Sequence, residues 1–344
     1  VAAGESVVLP APDLVASIGD AEVWLTVEAV LIDDSAWAPA GHVVARAQFL
    51  VEEVLPVDPP RAFAPLDDPS TPAEWTRARA VRQRRGGAGR RAARGVDAWI
   101  DGPVPGTSIG GDVVGLSASG SLETVLGREV TGPRLELFRA PTDNDLGPQS
   151  GTLDLADPRS NLGLGTWAPS SAEQWRSARL DLLRPRLDRI EHRLAEDGAL
   201  AGVRVLERWA APEGVASVWQ ESEWTLDAAG AHLRVRITPS TGWTGLWPRV
   251  GVRFALPLDV TEASWFGTGP FESYPDSLRA ARVGRFAADV DDLVVPYARP
   301  QESGHRSEVR SLEIGSGGDA WLRIDAEADS AGRLPGFTLR RHTP

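Results

Sequence analysis

Four short runs, at residues 186–194, 201–210, 215–226 and 231–238, follow one another with only Gly, Asp or Pro between them. Runs of that length and spacing leave no room for long helices and favour antiparallel pairing between sequence neighbours. The same pattern recurs on either side. Residues 113–127 read as a strand, a glycine turn and another strand, and Val250 to Leu256 reads as a strand behind the Trp- and Gly-rich turn of Ser240 to Arg249. Near the start, Glu22 to Leu31 has the period-two tendency of a half-buried strand, Ser35 to His42 reads as a turn, and Val43 to Val51 reads as a second strand. A shorter strand is expected in GESVVLPAP before them. Ser171 to Leu183 fits either a short helix or a strand. The expected fold class is all-β.

A length of 344 residues suits two domains, or one large β domain with a smaller companion. The formal charge of −12 argues against nucleic acid as a partner, since phosphate binding needs a basic face. No apolar run is long enough to span a membrane, and the first residues lack the basic and apolar regions of a secretory signal. Cysteine is absent, so disulfides and thiolate metal sites are excluded, and a cytoplasmic setting is expected. A chain without methionine reads as a piece of a longer one. Prolines 56, 59, 60, 65, 69 and 72 mark a linker, because proline lacks the amide donor that a sheet requires. Arg77 to Arg94 is an arginine-dense run broken by Gly86, Gly87 and Gly89, of a kind that usually has no packed structure.

The densest chemistry lies in FRAPTDNDLG, Phe138 to Gly147. Asp143 and Asp145 offer oxygen ligands, but contiguous donors lack the alternate spacing of a calcium loop. They are also too close in sequence to face each other across a sugar at ~5–9 Å, as paired glycosidase carboxyls must. A turn in which Asp and Asn accept backbone hydrogen bonds after Pro141 is the favoured reading. By spacing, Glu302 and His305 are the most plausible acid–base pair, the weak alternative being proton transfer of the mutarotase type. A surface turn around Gly304 is the preferred reading there. Glu272, Asp276 and Arg279 sit in GPFESYPDSLR, a rigid loop that suits a pocket wall or a structural corner equally. No phosphate loop, dinucleotide fingerprint, metalloprotease motif or serine elbow is present.

Several segments together resemble the C-terminal, small-chain region of the lactase-type β-galactosidases of glycoside hydrolase family 2. They are Trp-Ala-Pro-Ala-Gly-His within Ser35 to Ala45, Arg-Ala-Pro-Thr-Asp-Asn-Asp within Leu137 to Gly147, Pro-Arg-Val-Gly within Trp247 to Pro257, and the nearly continuous run from Trp265 to Glu313. The resemblance implies the end of an immunoglobulin-like β-sandwich at 1–55, a linker or aberrant segment at 56–100, and an incomplete galactose-mutarotase-like β-supersandwich at 101–344. It implies that the catalytic residues are none in this chain, because the two glutamates of the retaining mechanism belong to a TIM barrel. The loop beginning near Gly147 is implied to border the substrate pocket, with Asp143, Asn144 and Asp145 at its base. A sugar-site tryptophan is implied in a final stretch that this sequence does not reach. The complete enzyme is implied to act on galactosides such as lactose, to use Mg or Na ions, and to be a homo-oligomer; this chain is implied to hold no cofactor or metal. Residues 74–112 depart from the family pattern, and an insertion or a shifted reading frame would account for them. The alternatives to an enzyme part are a freestanding carbohydrate-binding or mutarotase-like module and an inactive truncated gene product.

Overall fold

The computed structural model describes residues 7–8, 22–52, 98–105, 108–110, 113–146, 169–214, 216–227, 230–241, 243 and 245–342. The chain divides into two compact units, residues 1–69 and 70–344. The first contains an antiparallel hairpin of β1 (Val23–Val30) and β2 (Val43–Glu52). Its turn is closed by the Leu31 amide donating to the His42 carbonyl and by the Asp34 carboxylate accepting from Ala40 N at 2.9 Å. The rest of the expected immunoglobulin-like remnant, the strand in GESVVLPAP included, lies almost entirely outside the described residues.

In the second unit the strands are β3 (Ile100–Asp101), β4 (Ser108–Ile109), β5 (Val114–Leu116), β6 (Leu122–Val125), β7 (Arg128–Glu136), β8 (Arg184–Leu194), β9 (Leu200–Ala210), β10 (Ser217–Asp227), β11 (Gly230–Pro239), β12 (Gly251–Ala255), β13 (Glu262–Gly269), β14 (Arg282–Asp289), β15 (Ser311–Ser316) and β16 (Asp319–Asp325). They form three antiparallel sheets in the orders β11-β10-β9-β8-β3, β12-β7-β6-β5-β4 and β14-β13-β15-β16. The four runs at 186–194, 201–210, 215–226 and 231–238 are the consecutive strands β8 to β11. All-β architecture is thus established.

Alternation explains the layers. Leu116, Leu122 and Val130 of one five-stranded sheet meet Val203, Val205 and Trp224 of the other in a single buried cluster. A second cluster joins Leu135 and Leu137 to Trp209 and Val218, with Trp175 and Leu180 closing its end. The third sheet has its own core around Trp265, Leu293 and Ile314. Burying such side chains contributes roughly 1.5–3 kcal/mol each before chain entropy is subtracted.

Two local outcomes refine the sequence reading. The ambiguous segment at 171–183 is helical: α2 spans Ser171–Ser177, followed by a short 3₁₀ turn at Leu180–Leu182. Its start is a capping box in which Ser170 Oγ accepts from Glu173 N at 3.2 Å and Glu173 Oε2 accepts from Ser170 N at 2.7 Å. Most of the expected linker, and the whole arginine–glycine run, lies outside the described residues. The end of the irregular region nevertheless supplies paired strands. Ile100 pairs with His192 at one sheet edge, and Ser108–Ile109 pairs with β5 at the edge of the other. Two-residue strands carry too little pattern to be read from sequence.

Candidate functional site

The turn after β7 is built around Asp145. Asp143–Leu146 forms a single helical turn, α1. Asp145 is buried, and Arg139 grips its carboxylate in bidentate fashion at 2.6 and 3.0 Å. The Thr142 amide and hydroxyl donate to the same carboxylate at 2.8 and 2.7 Å. Burial pushes the Asp145 pKa up, but the Arg139 and Thr142 hydrogen bonds more than offset it and hold the group below its ordinary value. The Arg139 guanidinium lies 4.9 Å from the Trp175 ring, which ties this turn to α2. Asp143 and Asn144 are exposed. Asp143 lies 3.8 Å from Arg299, and its amide donates to Gln301 Oε1 at 3.3 Å. The two aspartates therefore face different partners. Among the described residues no group of three or more His, Asp or Glu converges to hold a metal ion. Gly147, the remaining candidate rim residue, lies outside the described residues together with 148–168.

Glu302 stands at the centre of a second, deeper cluster. Its side chain is only 1% exposed, and its Oε1 accepts from Arg340 at 2.9 Å and pairs with Arg249. The Tyr274 hydroxyl donates to the same oxygen at 3.3 Å. Oε2 is buried with no hydrogen-bond partner. The Glu302 amide donates to the Ala140 carbonyl at 3.3 Å, so this cluster and the Asp145 turn are one continuous structure. Two guanidinium groups at 12% and 25% exposure set the charge balance of this wall of the fold.

His305 is part of the same wall. Its ring lies 5.4 Å from that of Tyr274, and its Nδ1 is 3.4 Å from the Thr338 hydroxyl. Burial, reinforced by the Arg249 charge, pushes the imidazole down to about 4 against the pull of Glu302. Gly336 makes room for this ring, since a Cβ there would stand 2.4 Å from His305 Cε1 and 2.5 Å from the Arg306 carbonyl. Glu302 and His305 are thus brought together, but Glu302 is neutralised by arginines and shielded from solvent. Proton exchange with a sugar at this carboxylate would require the cluster to open.

Gly304 has φ +80°, and a Cβ there would approach the Leu293 carbonyl to 2.6 Å. That conformation lets the Gly304 amide donate to Glu272 Oε2 at 2.7 Å, while Tyr297 donates to Glu272 Oε1. The hydrogen bond to Glu272 pushes the Tyr297 phenol up to about 12. Glu272 is therefore tied to the 297–304 segment. Asp276 and Arg279 are exposed and stand apart from this network. Arg306 is buried, and its Nη1 donates to the Leu293 and Gly304 carbonyls at 2.6 and 2.8 Å.

Sequence reasoning missed the cations. Arg139 lies in the run at 137–147 and Arg249 in that at 247–257, and Arg340 lies in neither run nor in that at 265–313. The usable signal was the arginine and carboxylate that share one short run, Arg139 and Asp145. For Arg249 and Arg340, no local signal exists.

Residues 113–343 match the family model described as "Beta galactosidase small chain", and residues 1–52 match "Beta-galactosidase, domain 4". The chain is 41% identical over 342 residues to a β-galactosidase of Arthrobacter sp. (strain B7), covering 99% of this chain and 29% of that relative. It is 28% identical to a Vibrio cholerae β-galactosidase over 83% of this chain and 24% of the relative. It is 32% identical to one from Photobacterium profundum over 54% of this chain and 17% of the relative. The chain spans less than a third of the length of each of these relatives. With its match to the small-chain model across most of its length, the chain belongs to the β-galactosidase small-chain family.

Proposed function

We propose that this chain is the non-catalytic C-terminal part of a family 2 β-galactosidase, and that it shapes the rim of an active site whose carboxylates lie on a separate TIM barrel. The observation that carries this reading is the meeting of three of the motif segments in one cluster. Ala140 and Asp143 come from the run at 137–147, Arg249 from that at 247–257, and Glu272, Tyr274 and Gln301 to Gly304 from two parts of the run at 265–313. The described chain reaches position 146 through Asp145, whose two carboxylate oxygens are held by Arg139 and Thr142 and are not free for chemistry of their own.

In this reading the complete enzyme hydrolyses terminal β-D-galactosides such as lactose with retention, through two barrel glutamates. This chain's residues anchor the loop that closes one side of the sugar pocket and contribute to carbohydrate binding. Asp143 and Asp145 do not fit a shared cation, so no step runs through a metal held here. The partners are the galactoside, the barrel and further copies of the complete enzyme. The cysteine-free composition supports a cytoplasmic setting. Purified 1–344 should leave a chromogenic galactoside intact, and mixing it with a barrel-containing portion that lacks its own small chain should restore turnover. Hydrolysis by 1–344 alone would sink the non-catalytic reading, and failure to restore turnover with a folded partner would sink the rim reading.

A further inference from the structure

One end of the β8–β9 surface carries a cation cluster that the family reading does not use. Arg186 on β8 and Arg208 on β9 are register partners, and Arg184 lies two positions along the same strand face. Together with Pro185, Ala210 and Pro212 they line a groove of about 350 Å³. All three arginines are exposed. Arg208 Nε donates to Ser217 Oγ at 3.1 Å, and Arg184 Nη1 donates to the Leu183 carbonyl at 3.2 Å. Among the described residues none of the three forms an ion pair. The nearby Glu213 is engaged by Arg179 at 3.4 Å.

The contrast with the other end of the same sheet is direct. There Glu191, Arg204 and Glu223 are register partners across β8, β9 and β10, and the signs alternate along the row. Arg204 meets Glu223 at 2.7 Å and Glu191 at 3.6 Å. Like charges directly opposite on paired strands are destabilising, and opposite charges are favourable. The Arg186–Arg208 pair accepts that repulsion in a chain of net charge −12, where acidic side chains are plentiful. An external anion would relieve it. Guanidinium forks match phosphate oxygens, and three positive charges suit a doubly charged group better than a single carboxylate. The proline and alanine floor offers apolar contact to a body attached to that group.

We infer that this groove binds a small phosphate monoester, with the phosphate between Arg184, Arg186 and Arg208 and its apolar body on Pro185 and Pro212. The test is calorimetric titration of the 1–344 chain with phenyl phosphate and with inorganic phosphate at fixed ionic strength. Saturable binding is expected, tighter for phenyl phosphate, and weakened by about tenfold in Arg186→Gln and in Arg208→Gln, as loss of one charge-assisted contact implies. Arg282→Gln, on a different sheet, should bind as the parent does. Absence of saturable binding, or equal binding by the Arg186 and Arg208 variants, would overturn the site. Inorganic phosphate binding as tightly as phenyl phosphate would overturn the monoester assignment. Without ligand, Arg186→Gln should melt at a higher temperature than the parent, and no rise counts against the repulsion on which the inference rests.

Discussion

The Asp145 turn and the Glu302 cluster are both carboxylates held by arginine, yet they are assembled in opposite ways. Asp145 draws its hydrogen bonds from Arg139 and Thr142, six and three positions away. Glu302 draws its partners from Tyr274 and Arg340, 28 and 38 positions away, and from Arg249 on yet another segment. The first is a local structure that a short segment can form by itself. The second exists only when distant parts of the chain are already in place. A locally closed ion pair mainly shapes its own loop, whereas a remotely closed one fastens several loops to one another.

The largest effect should come from breaking the remote cluster. Glu302→Ala leaves Arg249 and Arg340 facing each other with little solvent, and removing one partner of a buried ion pair costs roughly 3–5 kcal/mol. Chemical denaturation of the chain should show that loss. A change below 1 kcal/mol would mean that Glu302 is not what holds these segments together. Asp145→Asn should cost less, about 2 kcal/mol, because the amide keeps the shape and some of the hydrogen bonds to Arg139 and Thr142. It should also flatten the acid limb of the stability profile. The folded Asp145 pKa lies below the ordinary 3.8, so its stabilising contribution is complete above that value and is lost as pH falls through the lower folded one.

Gly336→Ala sharpens the comparison from the other side, since it alters packing without touching a charge. Backbone as well as ring atoms stand in the way of the new methyl, and a loss of roughly 1–3 kcal/mol is expected on thermal unfolding. His305 gives a pH test of the same wall. Its folded pKa of about 4 lies below the ordinary 6.5, so the unfolded chain binds a proton in that window that the folded chain refuses. Stability should fall as pH drops from 6.5 towards 4, by at most about 1.4 kcal/mol per pH unit, and His305→Gln should remove that slope. Asp143→Ala should produce the smallest effect. Its pair with Arg299 is 3.8 Å long with both side chains largely exposed, and no measurable change in melting temperature is expected.

The same division explains what the sequence revealed. Strands β8 to β11 were legible because each pairs with its neighbour across a short turn, so alternation and punctuation lie in one stretch. The helix at 171–177 carried a readable start signal, Ser170 and Glu173 at capping-box spacing, but its apolar residues did not separate period two from period 3.6. Asp145 could be assigned to a turn because its partners sit beside it. The Glu302 cluster was out of reach, since nothing near Arg340 announces a carboxylate far upstream.

The link between Asp143 and Gln301 spans 158 positions. Closing a loop of that length costs chain entropy that the nearest-neighbour hairpins do not have to overcome. Loop-closure cost therefore predicts that the β8–β11 meander forms before the wall around Glu302 is completed, and pulse-labelling hydrogen exchange during refolding checks it: protection at Glu302 N as early as in β9 would overturn that order.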